Sequence, residues 1–130
     1  MANANTPKRA LIEGKAALIV IDIQASTFID DSVVRSIDNM PGYKERMLEA
    51  RKAIDGARGA DIPVVFIQEV HRPDLIDFGR ELDGDEDVHC LEDNPKTALA
   101  VKEMGILPTD YIVPKRRYSA FFGTDLEILL

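Results

Sequence analysis

Lys15 to Ile23 reads KAALIVIDI, an apolar run from Ala16 to Ile21 that is stopped by an acid, Asp22. A run this short, rich in Ile and Val, is the pattern of a strand buried on both faces of a parallel sheet. It is far short of the roughly 20 residues a membrane helix requires. The pattern returns at Ile62 to Ile67, where Pro63 is tolerable only near the strand's start. It returns again at Tyr111-Ile112-Val113, followed at once by Pro114-Lys115. Between the first two runs, Tyr43, Met47, Ala50, Ile54 and Ala57 are spaced four, three, four and three, one stripe of a helix over Tyr43 to Arg58. Lys44, Glu45, Glu49, Arg51 and Lys52 take its other side, and Gly59 is placed to end it in a left-handed cap. Asn94 can cap a second helix with Pro95 at its first position, Gly105 closing it, and Ala98, Val101 and Met104 on its apolar side. Thr124-Asp125-Leu126-Glu127 is a capping box that opens a third. Strands alternating with helices predict an α/β fold: a parallel sheet with right-handed crossovers.

The 130 residues predict one domain over 14–130, preceded by a polar arm at 1–13. Residues 24–42 read as loop, ending in Pro41-Gly42. Residues 69–93 form a long charged connection that carries both histidines, and long loops are often functional. The last helix ends on Ile128-Leu129-Leu130 after about two turns. So short a helix is marginal unless packed, and a crossover helix returns the chain to another strand. The expectation is an apparently truncated piece of a longer domain, whose open sheet edge favours association into a homo-oligomer. Sixteen Lys and Arg against 23 Asp and Glu leave a net charge of −7. That balance argues against nucleic-acid or anionic-membrane partners, which call for a basic face. MANANTPKRA is followed by no cleavable signal, and Cys90 is the single cysteine, so no intrachain disulfide or cysteine zinc cluster is possible. A soluble cytoplasmic protein is expected.

Ligands of parallel α/β sheets bind beyond the carboxyl ends of the strands. Asp22, the Gln68-Glu69-His71-Arg72 cluster and Lys115 all fall there. An acid and a base from two strand ends can meet in one crevice, although Asp22 alone is more often a helix cap or loop-ordering acid and Lys115 alone more often a solvated lysine beside Arg116 and Arg117. No phosphate-binding glycine loop and no G-x-S-x-G elbow is present. Asp22-Ile-Gln-Ala-Ser26 could open a phosphotransfer enzyme with Asp22 as nucleophile, but Gln24 stands where a second aspartate is needed. Glu69 and His71 could supply two metal ligands, but no third has convincing spacing. His89 reads as a surface loop histidine. Cys90 lies in an acidic stretch that raises a thiol pKa, so an inert thiol is expected.

Two segments together resemble the isochorismatase-like cysteine hydrolases. Ala17-Leu-Ile-Val-Ile-Asp22-Ile-Gln24, with Phe28 after it, is similar to that family's opening strand and D-x-Q signature. Val113-Pro-Lys115-Arg-Arg-Tyr-Ser-Ala-Phe121-Phe-Gly-Thr124-Asp-Leu126 is similar to its lysine strand and the S-A-F…T-x-L that follows. The resemblance implies a three-layer α/β/α architecture around a Rossmann-like parallel sheet. It implies an amidohydrolase working through an aspartate, lysine and cysteine triad, with Asp22 as general base and Lys115 as the lysine. Gln24, Phe28, His71, Arg72 and Tyr118 become candidate substrate contacts, with Arg72 and His71 more readily paired to Asp74 and Asp77. No cofactor and no metal are implied, since Leu75 stands where a further histidine would follow His71. The family's cysteine follows the lysine strand, whereas Cys90 precedes Lys115, so the nucleophile role does not transfer. The loop Glu69-Val-His-Arg-Pro-Asp-Leu75 resembles that of members acting on ureide-type amides, so a small amide or ureide is the implied substrate. A non-catalytic α/β binding or assembly module is the alternative.

Overall fold

The computed structural model describes residues 14–28, 42–79 and 90–130. The polar arm, most of the loop before Gly42, and His89 lie outside the described residues. Three parallel strands, β1 (Leu18–Ile21), β2 (Val64–Glu69) and β3 (Tyr111–Lys115), form a sheet in the order β1-β2-β3. Ile21 pairs with Ile67, and Glu69 pairs with Lys115, so all three strands finish at one edge. The helices are α1 (Tyr43–Gly59), α2 (Val101–Met104) and α3 (Leu126–Leu129).

Strand periodicity sorts the core into two layers. Val64 and Phe66 of β2, with Leu18 and Val20 of β1, pack on Met47, Ala50, Ile54 and Ala57 of α1 and on Met104 of α2. Val65 and Ile67, with Ile19 and Val113, pack on the opposite side against Ala120 and Leu126. The central strand β2 is thus packed on both faces, as the α/β reading requires. Met47, Ala50, Ile54 and Ala57 of the α1 stripe pack as their spacing dictates. Ile54 is fully buried, worth roughly 1.5–3 kcal/mol relative to leaving it exposed.

Four local expectations are corrected. β1 is not buried on both faces: Ile21 is 58% exposed because β1 is an outer strand of the described sheet and only β2 is flanked on both sides. Gly59 does not take the left-handed turn. It remains in α1, and Asp61, at φ 53, makes the reversal, donating its amide to the Arg58 carbonyl. Residues 24–42 are not loop throughout, since Ala25–Thr27 is a short 3-10 turn. The single helix expected from Asn94 to Gly105 is two pieces. Asn94 caps a 3-10 turn, Pro95–Thr97, through the Lys96 amide, and Gly105 at φ 60 closes α2. Between them Leu99 bridges Gln24, with Ala100 donating to the Ile23 carbonyl. That bridge turns Leu99 and Ala100 inward, leaving Ala98 and Val101 exposed.

Candidate active site

The carboxyl edge of the sheet gathers three charged side chains from three strands. Asp22 follows β1, its amide continuing the ladder to the Ile67 carbonyl at 3.1 Å. Its φ of 56 then swings the chain away from the sheet, a left-handed conformation that Asp tolerates better than most residues. Lys115 ends β3 with its side chain only 4% exposed, and its Nζ lies 2.7 Å from Asp22 Oδ2. The same Nζ donates to the Tyr118 carbonyl at 3.2 Å and approaches Glu69 Oε2 to 3.7 Å. A buried ammonium thus sits between two carboxylates and a carbonyl, the surroundings that buried charge requires.

Asp22 divides its oxygens. Oδ2 is committed to Lys115, while Oδ1 is buried without a hydrogen-bond partner. Burial raises the Asp22 pKa above the ordinary carboxylate value. Lys115 opposes that rise and the Glu69 charge adds to it. An acid with one anchored oxygen, one free oxygen and a raised pKa is equipped to accept and return a proton.

Gln24 is buried, and its amide is spent inside the protein. Its Oε1 accepts from the Glu69 amide at 2.9 Å, and its Nε2 donates to the Thr97 carbonyl at 2.6 Å. Gln68 donates to the same carbonyl at 3.0 Å. Gln24 therefore fastens the end of β2 to the Thr97 turn. Cys90 adjoins this group, with Sγ 3.8 Å from Gln24 Nε2. Its thiol is pushed up to about 12, first by burial and then by the Glu69 charge, so a thiolate is disfavoured.

No side chain of the remaining candidates joins the Asp22 and Lys115 contact directly. Phe28 packs against the α1-side core. Arg72 is exposed and pairs with Asp74 at 2.7 Å, and Tyr118 is 71% exposed while its backbone carbonyl accepts a hydrogen bond from Lys115. His71 is buried beside Glu69, with its Nε2 3.5 Å from Glu69 Oε1. Among the described residues, no group of three or more His, Cys, Asp or Glu is arranged to hold a metal ion. Glu69, expected after the second strand and weighed only as a metal ligand, stands in the site beside Lys115. Its place at a strand end was the signal, and β2 runs two residues past the apolar run that stops at Ile67.

The isochorismatase domain profile matches residues 16–130. A ureidoacrylate amidohydrolase of Rhizobium rhizogenes is 25% identical over 134 residues, covering 89% of this chain and 54% of that protein. An uncharacterised isochorismatase family protein of Bacillus subtilis is 28% identical over 116 residues, covering 89% and 56%. The chain therefore spans about half the length of the curated relatives it matches. The crystal structure of N-carbamoylsarcosine amidase from Thermoplasma acidophilum superposes with a TM-score of 0.66 at 26% identity, over 90% of this chain and 61% of that one. An isochorismatase family protein from Desulfovibrio vulgaris, 22% identical, gives a TM-score of 0.69 over 89% of this chain and 60% of that one, and shares the fold.

Proposed function

The chain belongs to the isochorismatase family, and on that premise we propose that it supplies the aspartate and lysine of a cysteine amidohydrolase acting on a small amide or ureide. The observation that carries this reading is the 2.7 Å contact between Lys115 Nζ and Asp22 Oδ2, with Oδ1 left unpartnered. Relatives named as a ureidoacrylate amidohydrolase and an N-carbamoylsarcosine amidase support the ureide class.

In the proposed reaction, Asp22 Oδ1 takes the proton of a cysteine thiol, and the sulfur attacks the substrate carbonyl carbon. The carbon–nitrogen bond breaks, and the leaving nitrogen carries away the proton held by Asp22. Asp22 then takes a proton from water as the hydroxide attacks the thioester, and that proton returns to the sulfur when the acid departs. Lys115 keeps Asp22 ionised between these steps through its opposite charge. The nucleophile in this scheme is not Cys90, whose thiol holds its proton at neutral pH. It is a cysteine beyond this chain, and the chain alone is expected to be inactive. Association of copies into a homo-oligomer and a cytoplasmic location belong to the same reading. No helix among the described residues is long and apolar enough to cross a membrane.

The test is release of ammonia from a panel of small amides and ureides by the complete gene product, with iodoacetamide as control. Thiol-dependent release supports the reading. Release by the 130-residue chain that is lost in Cys90→Ser would assign the nucleophile to Cys90 instead.

A further inference from the structure

Glu69 divides its carboxylate between two partners. Oε2 lies 3.7 Å from Lys115 Nζ, and Oε1 lies 3.5 Å from His71 Nε2. The imidazole is held from every side. It is 1% exposed, and its ring meets Phe78 with centroids 4.4 Å apart. Its amide donates to the Cys90 carbonyl at 2.7 Å, and its carbonyl accepts from the Glu92 amide at 2.8 Å. Nδ1, buried and without a hydrogen bond, faces Asp77 Oδ1 at 3.8 Å. Asp77 in turn is fixed by Arg116 Nε at 3.0 Å and by the Arg72 amide at 3.1 Å. A leucine or phenylalanine would fill this space without burying two polar nitrogens, so packing alone does not account for His71.

Lysine carries its charge on four freely rotating carbons, and one partner fixes a distance but not a direction. We infer that Glu69 and His71 are positioning residues for Lys115: His71 fixes the Glu69 carboxylate, and Glu69 holds the ammonium in line with Asp22. Gln24 secures the same glutamate from behind through its backbone amide. The charged groups acting on Asp22 are Lys115 from β3 and Glu69 from β2, the first stabilising its ionised form and the second opposing it. Glu69 therefore both aims the lysine and keeps Asp22 basic.

The geometry stands apart from the hydrolase reading, and only its consequence for rate rests on that reading. The experiment follows the Lys115 ammonium by nitrogen-15 NMR in the complete gene product, with the resonance assigned through Lys115→Arg. The wild type should give a discrete, slowly exchanging ammonium signal. Glu69→Gln and His71→Leu should speed its exchange at least ~10-fold, the mark of a local contact that opens readily. His71→Gln keeps an N–H donor facing Glu69 and should preserve the signal. His71→Leu, which keeps the Glu69 charge but loosens Lys115, should also raise the Asp22 titration midpoint, because the Lys115 contact that lowers it is weakened. Glu69→Asp, with its arm one methylene shorter, replaces Glu69→Gln if the latter fails to fold, and should likewise speed the exchange. An unchanged Lys115 signal in the glutamate variant overturns the proposal, and His71→Leu behaving as wild type removes His71 from it. Neither readout requires turnover, so an inactive protein that shows both effects refutes the hydrolase reading and keeps this one.

Discussion

Lys115 and Asp22 touch at 2.7 Å although their strands do not pair, because β2 lies between β1 and β3. Neighbouring strands are about 4.8 Å apart, so the two backbones stand some two spacings from one another. The long lysine arm reaches over the end of β2, and the left-handed turn at Asp22 brings the carboxylate to meet it. Only a residue with a reach like lysine's can close that gap, and Glu69, at the end of the intervening strand, lies alongside the arm.

The raised pKa of Asp22 sets a pH dependence with a definite sign. The folded state holds the Asp22 proton at pH values where the unfolded chain, near the ordinary 3.8, has released it. Folding therefore binds a proton, and wild-type stability falls, relative to a variant that cannot ionise there, as pH rises through that window. Urea unfolding of wild type and Asp22→Asn between pH 3 and 7 should show this relative loss with rising pH. A difference between them that does not change with pH, or that changes with the opposite sign, contradicts the burial argument.

Cys90 should be chemically quiet. A thiol held to about 12 has so little thiolate at pH 8 that alkylation should run more than ~10²-fold slower than for a free cysteine. Iodoacetamide kinetics on the native and the urea-unfolded protein measure the ratio directly. Equal rates would remove the electrostatic ground for excluding Cys90 as nucleophile.

Gln24→Ala should act on stability first. The substitution leaves the Glu69 amide without its partner, while the Thr97 carbonyl keeps Gln68, a loss of about 1–3 kcal/mol where such a group is buried. Thermal melting should show the drop. A variant that melts like wild type but binds substrate poorly would restore Gln24 as a direct substrate contact.

Ile54→Ala tests the packing of α1 on the sheet. With Ile54 fully buried against the β1 and β2 side chains, truncation should cost about 2–5 kcal/mol. A smaller loss in chemical denaturation would mean that α1 is not the element holding that face.

Much of this arrangement was legible in the sequence because it rests on periodicity and on strand ends. The KAALIVIDI run and the Ile62 to Ile67 run located β1 and β2, and the Met47, Ala50, Ile54, Ala57 spacing located the buried face of α1. Placing Asp22 and Lys115 after their strands was enough to put both at one edge. What remained hidden depended on neighbours distant in the chain. The bridge between Gln24 and Leu99 broke the expected helix after Asn94. The outer place of β1 exposed Ile21, because an apolar run does not record how many strands flank it. Glu69 and His71 were expected after the second strand, but their contacts with Lys115 and Asp77 join residues distant in the chain, and no local pattern announces them.

The most direct test of the Asp22 and Lys115 assignment is turnover of a small amide or ureide by the complete gene product carrying Asp22→Asn or Lys115→Ala. Asn is nearly isosteric with Asp and tolerates the same left-handed backbone, so Asp22→Asn should retain the fold. Each substitution should lower kcat by about 10²–10⁴-fold, the scale of a lost general acid–base group, while circular dichroism shows the folded protein. Wild-type turnover in either folded variant would contradict the account.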